Sequence, residues 1–147
     1  MKTRALVMAA VMALTAMATT QVAQAQQRVT VNIPFDFVAG NVHLTAGDYI
    51  LSVSGPTGSL LLISAKDSTA SVFINTNAAV SRAPQTESKL VFNRYGDRYF
   101  LSQVWHEGYA QGRQLLKSPR EKEVLQSTEI QDQSQVTLVA GLATTTR

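Results

Sequence analysis

Between Lys89 and Lys122 the chain gathers most of the side chains suited to recognition chemistry. Seven of its 13 lysines and arginines fall there (Lys89, Arg94, Arg98, Arg113, Lys117, Arg120 and Lys122) against three acids, Asp97, Glu107 and Glu121. Six aromatic rings share the stretch: Phe92, Tyr95, Tyr99, Phe100, Trp105 and Tyr109. Guanidinium groups beside ring faces suit an anionic partner such as an acidic glycan or a membrane surface. Arg94, Tyr95, Arg98, Tyr99, Trp105 and His106 are therefore the candidate binding face. The same residues also fit a purely cohesive role. Gly96-Asp97 reads as a two-residue hairpin turn, which sets Tyr95 opposite Arg98, Arg94 opposite Tyr99 and Phe92 opposite Leu101. A guanidinium on a ring is worth about 0.5–1 kcal/mol at an exposed site, so these side chains can be used up in holding the hairpin together. The hairpin geometry favours cohesion over a binding face.

Other chemistries find less support. His43 lies between Val42 and Leu44 just after a turn and is expected to face solvent. Trp105-His106-Glu107 invites comparison with a zinc protease, but that motif needs a second histidine four positions on, and Ala110 stands there. No metal site and no cofactor are expected. Trp105 reads as a core or hairpin-capping residue. No serine sits in a Gly-x-Ser-x-Gly elbow or a Ser-x-x-Lys pair. Gly55-Pro56-Thr57-Gly58-Ser59 lacks the lysine and the following helix of a phosphate loop. Paired carboxylates for glycoside hydrolysis have no fixed spacing in sequence. A small hydrolase would declare itself in space, as a concave pocket where two or more of His43, Asp97, His106 and Glu107 converge.

The elements that must position these residues come from the remainder of the chain. Residues 1–25 read as a secretory signal peptide: Lys2 and Arg4 form a positive start, Ala5 to Ala18 is apolar apart from Thr15, and Ala23-Gln24-Ala25 offers a cleavage site. This stretch holds all four methionines. Its removal leaves 122 residues with a net charge of +1, which disfavours a polybasic nucleic-acid binder. No later segment is apolar enough for a membrane span. The chain has no cysteine, so neither a disulfide framework nor a thiolate metal site is available, and stability must come from packing and backbone pairing.

Short runs rich in Val, Ile and Thr, separated by turn signals, predict a mainly β domain over residues 26–140. Val29, Val31, Ile33, Phe35 and Phe37 alternate onto one face, with Pro34 marking an edge or a break. Gly40-Asn41 is a hairpin turn, and Ala46-Gly47-Asp48 and Gly55-Pro56-Thr57-Gly58 are further turns. Leu60 to Ile63 reads as a centrally buried strand, Thr76 to Ser88 as a long loop, and Gln135 to Ala140 as a last strand. Ser118-Pro119-Arg120-Glu121 starts a short helix: serine caps, proline takes the first position, and Glu121 can reach back to the Ser118 amide. Residues 141–147 read as a frayed tail.

Several of these pieces together resemble a family of small exported proteins of acidobacterial type. They are Pro34-Phe35-Asp36-Phe37, Gly40-Asn41, Leu44-Thr45-Ala46-Gly47-Asp48-Tyr49, Tyr95 to Leu101, Val104-Trp105, Gly112-Arg113-x-Leu115 and Lys117-Ser118-x-Arg120-Glu121. The resemblance runs from about Val31 to about Val124. It implies export and a β architecture and brings no activity, ligand or catalytic residue. The Leu44–Tyr49 piece also resembles a turn found in bacterial β-sandwich modules, with Thr45 in place of proline. The expected architecture is an antiparallel sandwich or flattened barrel of about seven or eight strands, with one short helix near 119–126, behind an N-terminal signal helix. The expected function is that of a periplasmic or secreted non-enzymatic module binding an envelope protein or a glycan. A carbohydrate- or small-ligand-binding domain is the alternative, and a small hydrolase comes third.

Overall fold

The computed structural model describes residues 27–127 and 133–140. The expected signal peptide (residues 1–25) and the expected frayed tail (residues 141–147) lie outside the described residues. Among the described residues ten strands and one helix follow in chain order: β1 (Arg28–Ile33), β2 (Phe37–Ala39), β3 (Val42–Leu44), β4 (Gly47–Ser54), β5 (Leu60–Ala65), β6 (Ser71–Val80), β7 (Lys89–Tyr95), β8 (Arg98–Trp105), β9 (Gln111–Leu115), α1 (Pro119–Ser127) and β10 (Gln133–Val139). The fold is mainly β, as the alternation implied. It is one open, mixed, ten-stranded sheet rather than an antiparallel sandwich or flattened barrel of seven or eight strands. The pairing path runs β1-β4-β5-β6-β9-β8-β2-β3, and β7 joins β8 to β10. β2 lies parallel to β8, Phe37 beside Tyr99 and Val38 beside Phe100. Every other strand pair is antiparallel.

Pro34 does break the first strand. β1 ends at Ile33 with Val29, Val31 and Ile33 inward, and β2 resumes at Phe37. β5 buries Leu61, Ile63 and Ala65 but leaves Leu60 and Leu62 half-buried, so only one of its faces is fully covered. The long polar loop expected from Thr76 is shorter. Thr76 to Val80 continue β6 and pair with β9, after Ser71–Asn75 have paired with β5. This continuation carries no inward apolar residue; its buried member is Thr76, whose hydroxyl donates to the Ser59 carbonyl at 2.9 Å. β9 was hidden for a related reason. Its buried positions are Gly112 and Leu115, and glycine gives no hydrophobic signal.

The two halves of the sheet share one core. Ile33, Leu51, Leu61 and Ile63 meet Leu90, Phe92, Leu101, Val104 and Leu115 in a single cluster. Phe37 lies edge-on to Tyr49 and to Phe92, with ring centroids 5.3 and 5.6 Å away. Full burial of such a side chain is worth roughly 1.5–3 kcal/mol, well above any exposed cation–ring pair. A second, smaller cluster lies on the opposite face of β2, β7 and β8. There Val38, Tyr95 and Phe100 are covered by Val124 and Leu125 of α1. No helix among the described residues is long and apolar enough to cross a membrane.

Candidate functional site

The β7–β8 hairpin has the register its turn dictates: Tyr95 opposite Arg98, Arg94 opposite Tyr99, Phe92 opposite Leu101. Gly96 adopts φ +61°, the left-handed conformation that glycine tolerates and a tight turn requires. Alternation then sends neighbours to opposite faces. The Arg94 guanidinium lies 5.8 Å from the centre of the Tyr99 ring, and its Nε donates to the Gly96 carbonyl at 2.6 Å. Tyr99 stacks on Phe35 at 3.9 Å. Tyr95 is on the other face, under α1. Its ring packs on Phe100 and its hydroxyl donates to Glu121 at 3.0 Å, so no guanidinium–ring contact forms with Arg98.

Glu121 is what fixes the helix to this hairpin. Its backbone amide donates to Ser118 Oγ at 3.2 Å, half of the expected capping box. The other half is absent, because the carboxylate turns inward. Glu121 Oε1 accepts from Asn93 Nδ2 at 2.9 Å as well as from Tyr95, and all three residues are buried. Burial first, and the facing carboxylate second, push the Tyr95 phenol up to about 12. Asn93 is held in turn by Gln135 Nε2, 3.3 Å from its Oδ1.

Docking α1 in this way brings Arg120, one residue before Glu121, over the hairpin turn. On the far side, β3 sets His43 directly opposite Val38, and cross-strand partners share a face. A cleft of about 270 Å³ results, lined by Asp36, Phe37, Val38, His43, Asp97, Arg98, Tyr99, Phe100 and Arg120. Arg98, Arg120, His43 and Asp97 are exposed on it. Among the described residues neither the Arg98 nor the Arg120 side chain makes an ion pair or a hydrogen bond. Asp36 is engaged, its Oδ1 accepting the Ala46 amide at 2.8 Å. Phe37, Val38 and Phe100 are buried beneath.

The six residues of the candidate face therefore separate. Arg98 and Tyr99 line the cleft, and Arg94 lies over the Tyr99 ring. Tyr95 is in the helix-covered cluster. Trp105 and His106 lie at the far end of β8, roughly 20 Å along the strand from Tyr99, and both are buried. Trp105 donates its Nε1–H to Gln103 Oε1 at 3.0 Å. Asp36, His43 and Arg120 join the cleft from segments distant in sequence. Arg120 was visible as one cation of the basic stretch and as part of the helix start, but neither signal placed it at this cleft. His43 and Asp97 meet in one concavity, as a small hydrolase would require, whereas His106 and Glu107 are elsewhere. No hydrogen bond joins His43 to Asp97, and no serine, threonine or cysteine lines the cleft. Among the described residues no three metal-ligating side chains are grouped to hold an ion.

His106 is buried with neither ring nitrogen in hydrogen-bonding geometry. Burial holds its pKa below the ordinary 6.5; the Gln27 backbone opposes this and the Arg113 charge adds to it. The unfolded chain therefore takes up a proton at His106 before the folded protein does. Stability from this residue is intact above 6.5 and is lost as pH falls from there to the lowered folded value. Urea unfolding between about pH 7 and pH 5 is expected to show this loss, and His106→Phe is expected to flatten it. An acid limb unchanged in the variant would assign the loss to other groups.

Comparison with protein-family models, with curated proteins and with solved structures returns no match.

Proposed function

We propose that the protein is an exported, non-enzymatic β-domain that docks an acidic segment of another envelope protein in the cleft beside α1. The observation that carries this reading is the pair of guanidinium groups, Arg98 and Arg120, at one concavity with no acid paired to either among the described residues. The size of the cleft points the same way. About 270 Å³ is at the small end of ligand pockets, roughly 300–1,000 Å³, and suits a single charged group presented by a larger partner. The rings argue against a sugar platform. Tyr95 and Trp105 are buried, and Phe35 covers one face of Tyr99. Export rests on the composition of residues 1–25 and on the resemblance to small exported proteins.

A glutamate-rich peptide is the probe. Charge-assisted hydrogen bonds contribute about 1.5–3 kcal/mol each, so Arg98→Ala with Arg120→Ala is expected to weaken peptide binding by at least about tenfold. The melting temperature should stay within about a degree or two, since both side chains are exposed. Undiminished binding in the double variant would refute the site. A hydrolase is the second reading, favoured by His43 and Asp97 sharing the cleft. It requires turnover of an ester or glycoside substrate that is lost in both His43→Gln and Asp97→Asn.

A further inference from the structure

Three strands end the pairing paths of the sheet, and they are not equally protected. An open edge offers backbone N–H and C=O groups to any extended chain, and proteins blunt such edges with charge, proline or brevity. β1 starts at the charged Arg28 and is followed by Pro34. β3 is three residues long. β10 is seven residues long, Gln-Ser-Gln-Val-Thr-Leu-Val, with no charge and no proline. Among the described residues it pairs only with β7.

The direction of its free groups can be derived. β10 and β7 run antiparallel without a register shift, Val139 opposite Lys89 and Val136 opposite Phe92. The next residue, Ala140, donates its amide to the Ser88 carbonyl at 2.8 Å. In an antiparallel ladder the residues that turn both groups to one neighbour alternate. Leu138, Val136 and Ser134 therefore address β7, and Gln133, Gln135, Thr137 and Val139 turn their N–H and C=O to the open side.

We infer that β10 is a self-association edge, on which a second copy of this chain pairs antiparallel about a two-fold axis through Val136. In that register Gln135 faces Thr137 of the second copy, and Gln133 faces Val139. Each pair joins two outward-directed residues, so each can exchange both backbone bonds. The two-fold contact is self-complementary, as an isologous dimer requires. The lack of charge over 133–139 means that identical edges meet without like-charge opposition. A two-fold axis normal to the sheet also keeps Val136 and Leu138, which pack on the core, on the core side in both copies.

Two double variants of the full chain, purified as the cell delivers it, test this by light scattering coupled to size exclusion. Gln135→Lys with Thr137→Lys sets lysine opposite lysine at both symmetry-related Gln135–Thr137 pairs. Gln135→Lys with Thr137→Glu sets lysine opposite glutamate. Both lose the Gln135–Asn93 hydrogen bond equally, so a difference between them reports the pairing and not the fold. The expected result is a dimer for the unmodified chain, about tenfold or more weaker association for the lysine–lysine variant, and a dimer again for the lysine–glutamate variant. An unmodified chain that stays monomeric at high micromolar concentration would overturn the inference. So would a lysine–lysine variant that associates like the unmodified chain, or a lysine–glutamate variant that does not associate.

Discussion

Glu121→Ala is expected to lower the stability of the protein by about 2–5 kcal/mol, because it leaves two buried donors without an acceptor at roughly 1–3 kcal/mol each. Both Asn93 Nδ2 and the Tyr95 hydroxyl end on the same oxygen, Glu121 Oε1. Neither donor can turn to water where it sits, since Asn93 and Tyr95 are 8 % and 2 % exposed. A domain of this size has a total stability of only about 5–15 kcal/mol, so the loss should be large in any urea titration. Glu121→Gln separates the hydrogen bonds from the charge. The amide oxygen can still accept from both donors, and the cost of burying a carboxylate is removed. This variant should stay within about 1 kcal/mol of the unmodified protein. Equal losses in the two variants would mean that the charge, and not the acceptor, holds α1 on the hairpin.

The second large effect is expected at Gly112. A β-carbon there would stand 2.6 and 2.7 Å from two ring atoms of Trp105 and 2.8 Å from the Val104 carbonyl oxygen. All three are closer than a real contact permits. The ring cannot swing away cheaply, being buried and held by its hydrogen bond to Gln103. The carbonyl belongs to β8, the strand that anchors the hairpin. Overpacking a filled site costs typically 1–3 kcal/mol and sometimes more, and Gly112→Ala should reach the upper end of that range. Trp105→Leu in the same chain frees the space and should recover part of the loss. A double-mutant cycle is then expected to give a coupling of about 1 kcal/mol or more. Additive losses would show that the backbone carbonyl alone sets the cost.

Both residues show what the sequence reveals and what it hides. The β7–β8 hairpin is legible down to its cross-strand pairs, because one turn of defined length sets every pair beyond it. Gly40-Asn41, the break at Pro34 and the Ser118 cap are legible for the same reason: each is a local event governed by backbone geometry. β9 is not, since its buried Gly112 records the bulk of Trp105 by having no side chain of its own. The parallel pairing of β2 with β8 leaves no trace in either strand. Glu121 reads as half of a capping box until the partners on β7 are known. The candidate face gathered Arg94 to His106 by nearness along the chain. Strand alternation puts Arg94 and Tyr95 on opposite faces, and strand length carries Trp105 and His106 away from the turn. The cleft keeps Arg98 and Tyr99 of that face and adds Asp36, His43 and Arg120, the last of which joins them only once α1 docks.

The division of labour proposed here, with buried rings for cohesion and two unpaired guanidinium groups for recognition, is tested most directly by an amide NMR titration with the glutamate-rich peptide. The expected shifts concentrate at residues 36–38, 43, 97–100 and 120 and leave the Trp105–Glu107 end of β8 unchanged. Shifts centred on Trp105 and His106, or none anywhere at peptide saturation, would contradict it.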